Sequence, residues 1–111
     1  MCKGIKKRVQ NSFLGDNAIV ECVDGERMCY CTYHINTLLN VPVHCHNYEQ
    51  TVCVLEGEMD LILDGQRITM KPGDVQMILS NQKHGAEIKK VPFYTIEHYS
   101  PVRTDLTILE D

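Results

Sequence analysis

An all-β fold, a barrel or sandwich of short antiparallel strands, is the class that three features of the 111-residue sequence predict. Segments rich in valine, isoleucine, threonine and tyrosine recur from Asn17 onward. Between them stand Asp24-Gly25, Glu56-Gly57, Asp64-Gly65, Pro72-Gly73-Asp74 and Ser80-Asn81, which supply the positive φ angles and side-chain turns that tight connections need. No apolar pattern of helical period outlasts about two turns.

In chain order, residues 1–16 read as an N-terminal arm, whose basic run of Lys3, Lys6, Lys7 and Arg8 is expected to be solvated. Strands follow at 18–23 and 27–35, joined by Asp24-Gly25 as a two-residue hairpin turn. Any helix is confined to the N-terminal region or to 37–39. Residues 51–56 and 59–63 form strands on either side of a hairpin or corner at Glu56-Gly57, and Asp64-Gly65 turns the chain into a strand at 67–70. After Pro72-Gly73-Asp74 come strands at 75–79 and 93–99. With no repeat, low-complexity stretch or linker, residues 1–111 read as one domain.

A net charge of −4 and a pI near 5.7 argue against a surface made for polyanions, so nucleic acid is not an expected partner. No window holds the run of about 18 apolar residues a membrane helix needs. Residues 1–10 are too charged for a secretory signal, and a cytoplasmic protein without a membrane partner is expected. Six cysteines, Cys2, Cys22, Cys29, Cys31, Cys45 and Cys53, are then expected to be reduced and to pack as small apolar side chains. They contain no C-x-x-C pair, the usual start of a thiolate metal site.

The histidines carry more. His44 and His46 stand two apart, a spacing that puts both side chains on one face of a strand. Gln50 offers an amide oxygen after a short bend, and His84 arrives from a distant strand. Three imidazoles and one neutral oxygen suit zinc, copper, iron or nickel. Glu49 lies beside Gln50, but alternation turns it to the opposite face. A second constellation follows in Glu97, Tyr99, Arg103 and Asp105. Glu97 and Tyr99 share a strand face, and a carboxylate beside a metal-bound substrate is a candidate general acid or base. Arg103 carries the fork that suits a substrate carboxylate.

His44-Cys45-His46-Asn47-Tyr48-Glu49-Gln50, followed by Gly57, resembles the first motif of the cupin family. The stretch from Pro72-Gly73-Asp74 to His84-Gly85 resembles the second. Two departures concern turns: Leu38 stands where the family has glycine, and Pro72 directly precedes Gly73. The resemblance implies a double-stranded β-helix, or jelly-roll barrel, with motifs and barrel core in 38–100. It also implies one divalent ion, Zn, Ni, Fe or Mn, held by His44, His46, Gln50 and His84. Because all four ligands are neutral, the ion would keep its full positive charge and favour an anionic ligand.

The tail from Glu97 to Asp105 is similar to that of the small KdgF-type cupins of pectin and alginate degradation, with Glu97 and Tyr99 where those have aspartate and phenylalanine. That resemblance implies conversion of a 4,5-unsaturated uronate by ring opening and tautomerisation, with Glu97, Tyr99 and Arg103 at the reaction. A non-catalytic sugar-acid sensor and an iron-dependent oxygenase are the alternatives. A homodimer is expected through strands in 17–33, taken to form an open apolar edge.

Overall fold

The computed structural model describes residues 3–11, 13–103 and 107–108. Its strands are β1 (Lys7–Gln10), β2 (Ala18–Asp24), β3 (Cys29–Ile35), β4 (Asn40–His44), β5 (Glu49–Leu63), β6 (Gln66–Met70), β7 (Val75–Ile78), β8 (His84–Ser100) and β9 (Thr107–Ile108). One 3₁₀ turn, Gly15–Asn17, is the only helical piece among the described residues. The sheet runs β6-β5-β8-β3-β2-β1-β9, with β4 added to β8 and β7 to β5, every pair antiparallel. The all-β expectation is borne out. No helix among the described residues is long and apolar enough to cross a membrane.

Two long strands organise the barrel. β5 has 15 residues and β8 has 17, and each serves different neighbours along its length. The first part of β5 pairs with β7 and its last part with β6, while β8 takes β4 near its start and β3 along its second half. The corner expected at Glu56-Gly57 is instead an irregularity inside β5, where the register against β8 shifts repeatedly between Val54 and Met59. Burial shows the effect. Gln50, Val52 and Val54 face inward before the shift, and Met59, Leu61 and Leu63 after it. The inward set thus changes from even to odd numbers, as an extra residue in a strand requires. β8 answers with His84 and Ile88 inward, then Phe93, Thr95 and Tyr99.

Gly57 permits this. Its φ is +80°, and a Cβ there would lie 2.6 Å from the carbonyl oxygen of Lys90 and 2.7 Å from that of Pro92. Both obstacles are backbone, and neither can rotate away. Gly57→Ala should therefore cost about 3 kcal/mol, since positive-φ strain and a buried clash act together. Urea unfolding should show a lower midpoint at an unchanged slope.

The remaining turns follow their chemistry with one exception. Asp64 and Gly65 both take positive φ, 49° and 80°, and close the two-residue hairpin between β5 and β6. Gly73, at φ +95°, sits in a turn closed by Asp74 N–H donating to the Lys71 carbonyl at 2.9 Å. Between β2 and β3 the connection is four residues, 25–28, closed by Gly25 N–H to the Met28 carbonyl at 2.7 Å. The expected two-residue turn there is too short by two, and Arg27 and Met28 leave the strand.

β1 and β4 and the first half of β8 fall outside the expected strands. β1 carries Lys7 and Arg8, with Val9 its one buried side chain, and its pairing with β2 removes 7–10 from the solvated arm. Lys7 also forms an ion pair with Asp24. That pairing corrects the edge expected in 17–33: β2 lies between β1 and β3, and β3 between β2 and β8.

The reduced state expected of the cysteines is corrected as well. Cys22 and Cys31 stand directly opposite in the β2–β3 ladder, 4.1 Å apart at Cα, and are joined by a disulfide. The register set by the four-residue loop brings the two thiols face to face inside the core, a spacing that sequence distance does not reveal. Cys29 is a buried free thiol, pushed up in pKa by that burial, and Cys45 is exposed. Cys2 lies outside the described residues.

Candidate metal centre and acid–base site

His44, His46 and His84 come together at one end of the barrel. His44 closes β4 and His84 opens β8, and the two are register partners. His46 follows the end of β4, so strand alternation is not what aligns it. The chain bends after His44, and Asn81 N–H donating to the His46 carbonyl at 2.7 Å pins the bend to the Ser80-Asn81 turn. Ser80 Oγ donates to the Asn47 carbonyl at 2.9 Å and adds a second tie. One ring nitrogen from each of the three histidines lies within 4.8 Å of the others.

Their tautomers are fixed by the backbone. Nδ1 of His44 faces the Pro42 carbonyl at 2.8 Å, Nδ1 of His46 the Tyr48 carbonyl at 3.2 Å, and Nδ1 of His84 the Gln82 carbonyl at 2.8 Å. A carbonyl only accepts, so in each neutral ring the proton sits on Nδ1 and the lone pair on Nε2. This is the outer-shell arrangement that orients imidazole ligands. Burial pushes the His84 pKa down to about 4, with His44 and His46 nearby adding to the effect, and burial lowers His46 too. Neutral rings are the form a metal requires.

Gln50, the second residue of β5, is buried on the same wall. Its Nε2 donates to Glu97 Oε1 at 2.6 Å, which turns Oε1 toward His46 Nε2, 3.0 Å away. With the His46 proton on Nδ1, these are two acceptors in contact, an arrangement that a shared cation relieves. Three imidazole nitrogens and an amide oxygen, each held by an outer partner, therefore fit a divalent transition metal. Glu49 and Cys45 are exposed and point elsewhere.

Glu97 stands beside this cluster. It is half-buried as a residue, and its carboxylate accepts from Gln50 Nε2, from Thr95 Oγ1 at 2.8 Å and from Tyr99 OH at 3.1 Å. Burial raises its pKa, opposed by those donors and by the charge of Arg103. The Tyr99 hydroxyl lies 2.6 Å from that of Tyr33, and Arg103 Nη1 donates to Tyr33 OH at 3.3 Å. The Arg103 guanidinium also lies 4.6 Å from the centre of the Tyr99 ring. All the expected site residues that the structure describes line or border one cavity; Asp105 lies outside the described residues.

Sequence reasoning missed Asn11, Phe13, Tyr33 and Thr95, which also line it. The Phe13 ring lies 4.4 Å from that of His44, and the Asn11 side chain hydrogen-bonds Tyr33. Thr95 had a signal, since it shares the face of Glu97 and Tyr99. Tyr33 shares the face of Cys29 and Cys31, but nothing local says that β3 lies against β8.

The family model described as Cupin domain matches residues 34–91, just over half of the chain. The pectin degradation protein KdgF of Dickeya dadantii (strain 3937) is 27% identical over 79 residues, which cover 70% of this chain and 71% of that protein. Among solved structures, KdgF from Halomonas sp. superposes with a TM-score of 0.76 at 20% identity, covering 87% of each chain. An RmlC-like cupin from Shewanella frigidimarina NCIMB 400 gives 0.78 at 21% identity, covering 89% of this chain and 87% of that one.

Proposed function

The chain belongs to the cupin family, and from that premise we propose that it is a metal-dependent enzyme acting on a small sugar acid, which opens and tautomerises the ring of a 4,5-unsaturated uronate. The single observation that carries the reading is the junction at Gln50, whose oxygen faces the histidine cluster while its nitrogen holds the Glu97 carboxylate. An acid–base group thus stands one side chain away from the ligand set. Similarity to a pectin degradation protein supports the substrate class.

His44, His46, Gln50 and His84 would hold the ion, with zinc, nickel, iron and manganese all compatible with the donors. When bound, a divalent ion supplies a Lewis acid that polarises a ring or carboxylate oxygen. Arg103 orients the substrate carboxylate. Glu97 takes the proton of the anomeric hydroxyl as the ring C–O bond breaks, and returns it to carbon 4 of the resulting enolate. The product is a linear keto acid of unchanged mass, so no co-reactant is consumed. Tyr99, donating to Glu97, holds the carboxylate in place. The same reading takes the protein as a cytoplasmic homodimer.

The decisive experiment follows the ultraviolet absorbance of the conjugated C4=C5 bond. Metal-loaded protein should remove it far faster than the spontaneous rate, with a product of equal mass. Decay at the spontaneous rate by fully loaded protein refutes the reading.

A further inference from the structure

We propose that Tyr33 is a positioning residue that fixes Arg103 at the site, and the inference rests on the reading of Arg103 as the anchor for a substrate carboxylate. Tyr33 comes from β3, a strand that contributes no metal ligand and no acid–base group to the proposed reaction. It is 4% exposed, and its hydroxyl forms a three-way junction. Arg103 Nη1 donates to it at 3.3 Å, and the Asn11 side chain bonds it as well. The Tyr99 hydroxyl is 2.6 Å away.

The direction of this chain is set by its far end. Tyr99 gives its proton to the Glu97 carboxylate, which only accepts, so Tyr33 must donate to Tyr99. Tyr33 oxygen is then left as the acceptor for Arg103 and Asn11. Burial holds both phenols protonated, which keeps the chain intact.

Arg103 follows the last residue of β8 by three positions, beyond the sheet ladder. A long side chain there has high rotamer entropy. The junction supplies a fixed oxygen for one nitrogen while the Tyr99 ring supports the guanidinium plane. Removing the Tyr33 oxygen takes away that anchor and leaves the charge of Arg103, the Tyr99–Glu97 bond and the ligand set in place.

A double-mutant cycle tests this on binding, with D-galacturonate as a saturated uronate that carries the carboxylate and cannot tautomerise. Calorimetry with metal-loaded wild type, Tyr33→Phe, Arg103→Ala and the double variant gives four affinities. Tyr33→Phe should weaken binding roughly 10-fold, the worth of a hydrogen bond to a charged group. In the Arg103→Ala background the same change should have no further effect. Metal content should be equal in all four. Unchanged affinity in Tyr33→Phe, or an equal loss in both backgrounds, overturns the proposal. If wild type does not bind galacturonate, the anchor role of Arg103 falls and takes this inference with it. If the cycle behaves as expected and the unsaturated uronate is not turned over, the catalytic reading falls while the role of Tyr33 stands.

Discussion

Glu97→Gln should slow conversion of the unsaturated uronate by roughly 10²- to 10⁴-fold, the usual contribution of a general acid–base group. The substitution keeps the shape. With its amide oxygen in the place of Oε1, the side chain still accepts from Gln50 Nε2 and Tyr99 OH, now at 2.6 and 3.1 Å, while the amide nitrogen takes the place of Oε2 and donates to Thr95 Oγ1, now 2.8 Å away. What disappears is the ability to take up a proton and give it back. Metal content and galacturonate affinity should therefore stay close to wild type while kcat collapses. A sensor would show the opposite pattern, with ligand response intact in the variant and no turnover to lose. Near-normal kcat in Glu97→Gln would move the proton transfer to another group.

Loss of the metal should be as severe, and His84→Ala should mimic it. His84 is the most deeply buried of the three imidazoles and comes from the second of the two motifs. Its removal deletes a ligand outright, so the fall in metal affinity should exceed the roughly 10- to 100-fold that loss of an outer partner costs. Two measurements check this. Chelation should abolish turnover and lower the melting temperature of the wild type, because a ligand present at 100 times its Kd adds about 2.7 kcal/mol to stability. The chelated and loaded forms of His84→Ala should melt together at the same metal concentration. A metal shift that survives in the variant would place the ion elsewhere.

How far the sequence could be read follows from which constraints are local. The Asp64-Gly65 hairpin depends on two adjacent residues, and the structure gives both the positive φ that the turn demands. The histidine and glutamine cluster was legible from motif spacing, although bend geometry rather than strand alternation aligns His46. β4 was missed because Pro42 interrupts it and its side chains are mostly exposed. The first half of β8 was missed because Glu87, Lys89 and Lys90 break the apolar alternation. The Cys22–Cys31 bridge depends on a loop of four residues where two were expected. Tyr33 depends on which strands are neighbours, a long-range fact that no window of sequence holds.

The irregularity at Gly57 has a consequence for how this barrel tolerates change. The chain before it carries Gln50 and faces β7, while the chain after it faces β6. Inward and outward positions are counted afresh on each side. Deleting one residue between Val54 and Met59 would act as a frameshift in space: it would bring Asp60 inward and turn Met59, Leu61 and Leu63 toward water. The reset does not isolate the histidine cluster from the hairpin at 64–65, where Leu63 pairs with His84 and Asp64 N–H donates to the Lys83 carbonyl at 2.9 Å: an insertion there leaves the inward count at Gln50 unchanged and still acts on His84.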